Sequence, residues 1–139
     1  MNRIADSVIP IRTSFTGFFE AWLDSTYLLL HTLSAKERTV MAAYLKKHFE
    51  LSQKVKDEAI LGRILMDETT KQQIMEECNI KRSHLQVITG TFKKEGLMVN
   101  GRIAPKLIPD REAVENGEIR LLIVYRYDKE EPSDTESLS

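Results

Sequence analysis

A single cysteine, Cys78, leaves the chain of 139 residues unable to close an internal disulfide. That suits a reducing compartment, so a cytoplasmic location is expected, with a virion as the alternative. The six glycines are scattered at places that read as turns, and none builds a glycine-rich phosphate loop. His31, His48 and His84 have no carboxylate or cysteine at a ligand or triad spacing. Paired acids such as Glu76–Glu77 and Glu130–Glu131 are adjacent, so on regular elements they diverge. No enzymatic activity, metal or cofactor is therefore expected. The sequence also lacks the run of about 20 apolar residues that a membrane span needs. Its start, MNRIADSVIPIRTS, lacks a signal peptide's apolar core, so no membrane partner is expected.

What is present is ordinary in bulk and uneven in detail. With 42% apolar and 29% charged residues, the chain is long enough for one compact domain with tails. The net charge of −1 hides a basic middle and an acidic end. Lys71 to Lys106 holds seven Lys or Arg against three Glu, whereas Asp128 to Ser139 holds five acids and one Lys. That tail has little to bury and is expected to be disordered.

Ser14 is placed to cap a helix carrying Phe15, Phe18, Phe19, Trp22 and Leu23 at helical spacing. Five of the ten aromatics fall between Phe15 and Tyr27, and Leu28 to Leu30 extend the apolar surface. Two readings stay open for residues 14–30. Either the helix folds over the domain's own core, or it is an association segment for a homo-oligomer or a partner subunit. Val8 to Arg12 is read as extended because Pro10 disfavours helix.

Ser34 and Glu37 have capping-box spacing, which opens a helix to about Glu50 with Val40, Met41, Tyr44, Leu45 and Phe49 inward. Leu51 to Arg63 reads as a further turn or two of helix ending near Gly62, and Ile64 to Met66 as a short strand. Asn100-Gly101 between Leu97–Val99 and Arg102–Ala104 signals a hairpin with a type I′ turn. Pro105 and Pro109 end regular pairing. Arg111 to Asn116 reads as a polar connection ending at Gly117. The β-branched and aromatic run Ile119 to Tyr127 reads as a last strand, which could join the hairpin in a three-stranded wing, as could Ile64 to Met66.

The most patterned stretch is Thr70 to Met98. Thr70 is placed as an N-cap, Ile74 and Cys78 share a face, and Asn79 suits a left-handed turn. Ile80 points inward, Leu85, Ile88 and Phe92 form one buried stripe, and Gly96 closes the second helix. Cys78 on the buried face reads as a packed thiol rather than a nucleophile. This register resembles the helix-turn-helix of winged-helix DNA-binding proteins, at Thr70, Ile74, Met75, Cys78, Asn79, Ile80, Leu85, Ile88, Phe92, Gly96 and Leu97. One departure is Met75, where that family usually carries alanine, which implies a wider helix crossing.

The resemblance implies a mainly α fold with a small β-wing (α+β), a winged helix-turn-helix spanning residues 34–127. Residues 1–33 would be an N-terminal extension and 128–139 the acidic tail. It further implies double-stranded DNA as partner, with the second helix entering the major groove by its N-terminal end. Lys81, Arg82, Ser83, Gln86 and Val87 would then meet bases. Gln72, Thr91, Lys93, Lys94 and the wing residue Arg102 would meet phosphates. Such modules serve transcription regulation or replication, including phage-encoded accessory roles. Winged helices also act as protein–protein modules, so a non-catalytic assembly subunit, such as a bacteriophage particle protein, stands beside the DNA reading.

Overall fold

The computed structural model describes residues 10–27, 33–120 and 126–129. These form a mainly helical protein with one small antiparallel hairpin. Six α-helices run in chain order: α1 (Phe15–Tyr27), α2 (Ala35–Ser52), α3 (Glu58–Leu65), α4 (Glu68–Cys78), α5 (Arg82–Lys94) and α6 (Arg111–Asn116). Strands β1 (Met98–Val99) and β2 (Arg102–Ile103) lie between α5 and a 3-10 turn at Pro105–Leu107. Residues 10–14 have no regular structure; Val8 and Ile9, the start of the expected extended stretch, lie outside the described residues.

The centre is α2. Its capping box forms as its spacing requires: the Ser34 hydroxyl accepts from the Glu37 amide at 3.1 Å, and the Glu37 carboxylate accepts from the Ser34 amide at 2.9 Å. Six consecutive residues, Val40 to Leu45, are buried. A helix buried all round must be enclosed, and α1, α3 and α4 all pack on it. This is why Ala42 and Ala43 join the expected inward residues.

The segment after α2 is more helical than its sequence suggests. Asp57 caps α3, its carboxylate accepting from the amides of Ala59 and Ile60 at 2.9 and 3.0 Å. The expected strand at Ile64–Met66 is instead the end of this helix. Three apolar residues in a row suit either element; the cap at Asp57 and the burial of Leu61 and Leu65 on one face decide it. Thr70 is likewise not an N-cap. Asp67 takes that place and accepts from the Thr70 amide at 2.8 Å. Thr70 is buried within the first turn of α4, and its hydroxyl donates to the Ile64 carbonyl at 2.8 Å, satisfying the end of α3.

Arg111–Asn116, expected as a connection, is the short helix α6, capped by Asp110 and stopped by Gly117. The hairpin has two strands among the described residues, paired Met98 with Ile103 and Val99 with Arg102, where a three-stranded wing is expected. Asn100 and Gly101 both have positive φ, 54° and 72°, as a type I′ turn demands. Of the expected last strand, residues 121–125 lie outside the described residues, and its flanks have no regular structure. The acidic tail beyond Lys129 also lies outside them.

Candidate nucleic-acid interface

The candidate surface is built by α4, the turn after it, α5 and the hairpin. Asn79 adopts the left-handed conformation (φ 54°), and the Ile80 amide returns to the Met75 carbonyl at 3.0 Å. That closes α4 and turns the chain within three residues into α5. Met75 is buried with Ile74 and Cys78 in the common core. From the far side, the Lys36 ammonium donates to the Cys78 carbonyl at 3.2 Å, and Lys46 pairs with Glu77 at 2.9 Å. These contacts tie α4 to α2.

Helix α5 divides cleanly by side. Leu85, Ile88 and Phe92 are buried, while Arg82, Ser83, Gln86, Val87, Gly90, Lys93 and Lys94 are exposed. Val87 is 67% exposed, a large aliphatic side chain that no described residue covers. The helix ends in a Schellman motif: Gly96 at φ 75°, its amide on the Lys93 carbonyl at 3.2 Å, and the Leu97 amide on the Phe92 carbonyl at 2.8 Å. Leu97 is thereby driven into the core, and the hairpin starts at once.

The beginning of α5 differs from the other helices. Ser14 accepts from the Gly17 amide in α1, and Ser34, Asp57, Asp67 and Asp110 cap α2, α3, α4 and α6. Lys81 at the head of α5 offers no side-chain acceptor, and residues 81 to 84 are all exposed. Its first amides therefore face outward beside a lysine, at the positive end of the helix dipole.

The expected DNA-contact residues divide into three groups. Ser83, Gln86 and Val87 lie together on the outward side of α5, and Lys81 is exposed at its head as the N-cap. Arg82 is beside them but forms an ion pair with Glu68, the first residue of α4. Lys93 and Lys94 occupy the opposite end of the helix, where they also offset its negative dipole end. Gln72 is exposed on α4, whereas Thr91 is half-buried, its hydroxyl donating to the Val87 carbonyl at 3.2 Å. Arg102 is exposed on β2, its stem lying over Gly62 of α3. Glu68 and Gly62 are the partners that the sequence did not reveal, because each meets its arginine only through the tertiary fold.

The aromatic helix α1 is largely committed to its own chain. Phe19 and Leu23 are completely buried, Phe18 and Trp22 pack against the core, and the Trp22 indole donates to the Leu107 carbonyl at 2.8 Å. Phe19 also meets Phe15 and Phe18 edge-on, with ring centres 5.4 and 5.2 Å away. Burial of Phe19 and Leu23 stabilises the fold by about 1.5–3 kcal/mol each. Of the proposed association residues, Phe15 alone remains largely open, at 48%.

Ionisable groups in the interior are kept neutral. Burial pushes the Cys78 thiol up to about 11, with Glu77 adding to the effect, which makes it a packed thiol. Burial raises Tyr44 to about 12 and lowers His48, the latter partly offset by Glu58. No group of three His, Cys, Asp or Glu among the described residues could hold a metal ion. No helix among them is long and apolar enough to cross a membrane. No family model matches the chain, and neither a curated protein nor a solved structure matches it.

Proposed function

We propose that the chain is a non-catalytic winged-helix DNA-binding protein that acts in the cytoplasm in transcription or replication. Helix α5 is the reading element. The observation that carries this is the exposed side and start of α5: Ser83, Gln86 and Val87 opposite a buried apolar stripe, with Lys81 at an uncapped helix start. Such an end suits phosphate, and lysine, glutamine and valine suit guanine, adenine and the thymine methyl respectively. Arg82 joins them once it leaves Glu68. Lys93, Lys94 and Arg102 supply further phosphate contacts.

Titration of a labelled random duplex, repeated as salt rises, tests the proposal. Binding at low salt with a steep linear loss of log affinity against log salt is expected. Absence of binding at low salt would refute it. In that event the second reading, an assembly subunit, is favoured by Ile11 and Phe15. These apolar side chains, 79% and 48% exposed near the head of α1, are left open by the described chain.

A further inference from the structure

Between α3 and the hairpin turn lies an open groove of about 530 Å³, bordered by Ala59, Gly62, Arg63, Met66, Asn100 and Arg102. Its geometry depends on a glycine. A β-carbon at Gly62 would sit 3.3 Å from Arg102 Cγ, tighter than such contacts ordinarily run, and in ordinary contact with the Gly101 carbonyl oxygen at 3.5 Å. With glycine there, the Arg102 stem lies flat across α3, and its Nε is 3.8 Å from the same point. The guanidinium group is thus brought to the edge where the next residue, Arg63, is exposed. Neither arginine has an ion-pair partner among the described residues. Asp67 is the acid in the groove, and its Oδ1 is held by the Thr70 amide at the head of α4. Two cations therefore border one groove against one carboxylate that is already engaged.

We propose that Arg63 and Arg102 hold a single phosphodiester of the DNA backbone between them, at a site separate from α5. Guanidinium groups match phosphate oxygens in geometry and stay charged at any working pH. An open groove at the surface admits a phosphate that belongs to a long strand. Gly62 acts as the positioning residue, setting Arg102 in place without touching the ligand. The inference rests on the DNA-binding reading above.

Duplex affinity is measured across roughly 50 to 200 mM salt for the parent, Arg63→Ala, Arg102→Ala, the double variant and Gly62→Ala, with melting curves to verify folding. One shared phosphate predicts that the double variant lowers the salt slope by about 0.9. It also predicts that the affinity losses of the two single variants do not add. Gly62→Ala keeps every charge, yet it should weaken the parent and leave Arg102→Ala unaffected. A double variant whose slope falls by about 1.8 would show two independent phosphates, and an unchanged slope would show none; either overturns the shared site. If the parent binds with a normal slope and Arg63→Ala equals it, the groove proposal alone fails. If the parent does not bind duplex at all, the DNA reading fails and this proposal with it. Should Gly62→Ala fail to fold, the arginine variants still decide.

Discussion

The ion pair between Arg82 and Glu68 makes a quantitative test of the proposal that α5 reads DNA. The side chains are 47% and 66% exposed, so solvent screens the pair and it contributes at most about 1 kcal/mol. Glu68→Gln should therefore cost little stability, the larger share coming from a lost favourable charge in the first turn of α4. Its effect on DNA should be the opposite. Removing the carboxylate frees a guanidinium at the head of α5. Freeing Arg82 can gain no more than the pair held back, so Glu68→Gln should raise affinity by up to about 1 kcal/mol, or roughly fivefold. Arg82→Ala should weaken specific binding by about 1–3 kcal/mol, the scale of one good base contact. In the parent this loss is reduced by whatever the pair with Glu68 contributed, so it should grow by up to about 1 kcal/mol in the Glu68→Gln background. A double-mutant cycle on a labelled duplex, with melting curves in parallel, reads all three quantities. If Arg82→Ala binds like its parent in both backgrounds, the head of α5 does not read DNA. If Glu68→Gln weakens binding, the carboxylate orients the guanidinium rather than competing for it.

Gly96→Val should lower the melting temperature, since a side chain at φ 75° costs about 1–2 kcal/mol, although a β-carbon there meets no neighbour within 4 Å. An unchanged melting temperature would mean that the Schellman turn is not required. The double change Phe18→Glu with Trp22→Glu should unfold the chain, because both side chains pack on the core and the indole bond to Leu107 is lost. A folded but smaller species by light scattering and circular dichroism would instead place α1 between subunits. His48 is lowered by burial, so the unfolded chain binds its proton first as pH falls. Its contribution to stability is thus full above the unfolded value of about 6.5 and lost below it. His48→Gln should flatten that part of a stability–pH profile, and an identical profile would refute the assignment. The buried Tyr44 hydroxyl has no hydrogen-bond partner among the described residues. Tyr44→Phe should accordingly be neutral or stabilise by about 1 kcal/mol in denaturant titration, whereas a loss above that size would reveal a partner.

Local chemistry made much of this architecture legible. Ser34 and Glu37, Asn79, Asn100-Gly101 and Gly96 each act through backbone groups within a few residues, so their roles do not depend on distant parts of the chain. The stripe of Leu85, Ile88 and Phe92 is similarly a matter of helical period, and it fixes which side of α5 faces out. Caps competing over short distances were harder to read. Asp67 and Thr70 are both good N-cap residues, and the choice fell to Asp67 because the Thr70 hydroxyl satisfies the end of α3. Ile64 to Met66 carries no period of its own, so only the preceding cap and the packing of Leu61 and Leu65 made it helical.

The candidate site divides along the same line. Helical period alone determined that Ser83, Gln86 and Val87 share an exposed side, opposite the stripe of Leu85, Ile88 and Phe92; Lys81 falls in register with that stripe and is exposed because it precedes the helix as its N-cap. Tertiary structure alone decided that Glu68 holds Arg82, that Gly62 seats Arg102 next to Arg63, and that most of α1 is spent on its own core. The partners in these contacts are 14, 40 and 85 residues apart, counting Glu68 to Arg82, Gly62 to Arg102 and Trp22 to Leu107. Helical period and capping act over one or two turns. Contacts at these separations depend on how α2 gathers the other helices around it, and that is set by packing of the whole core.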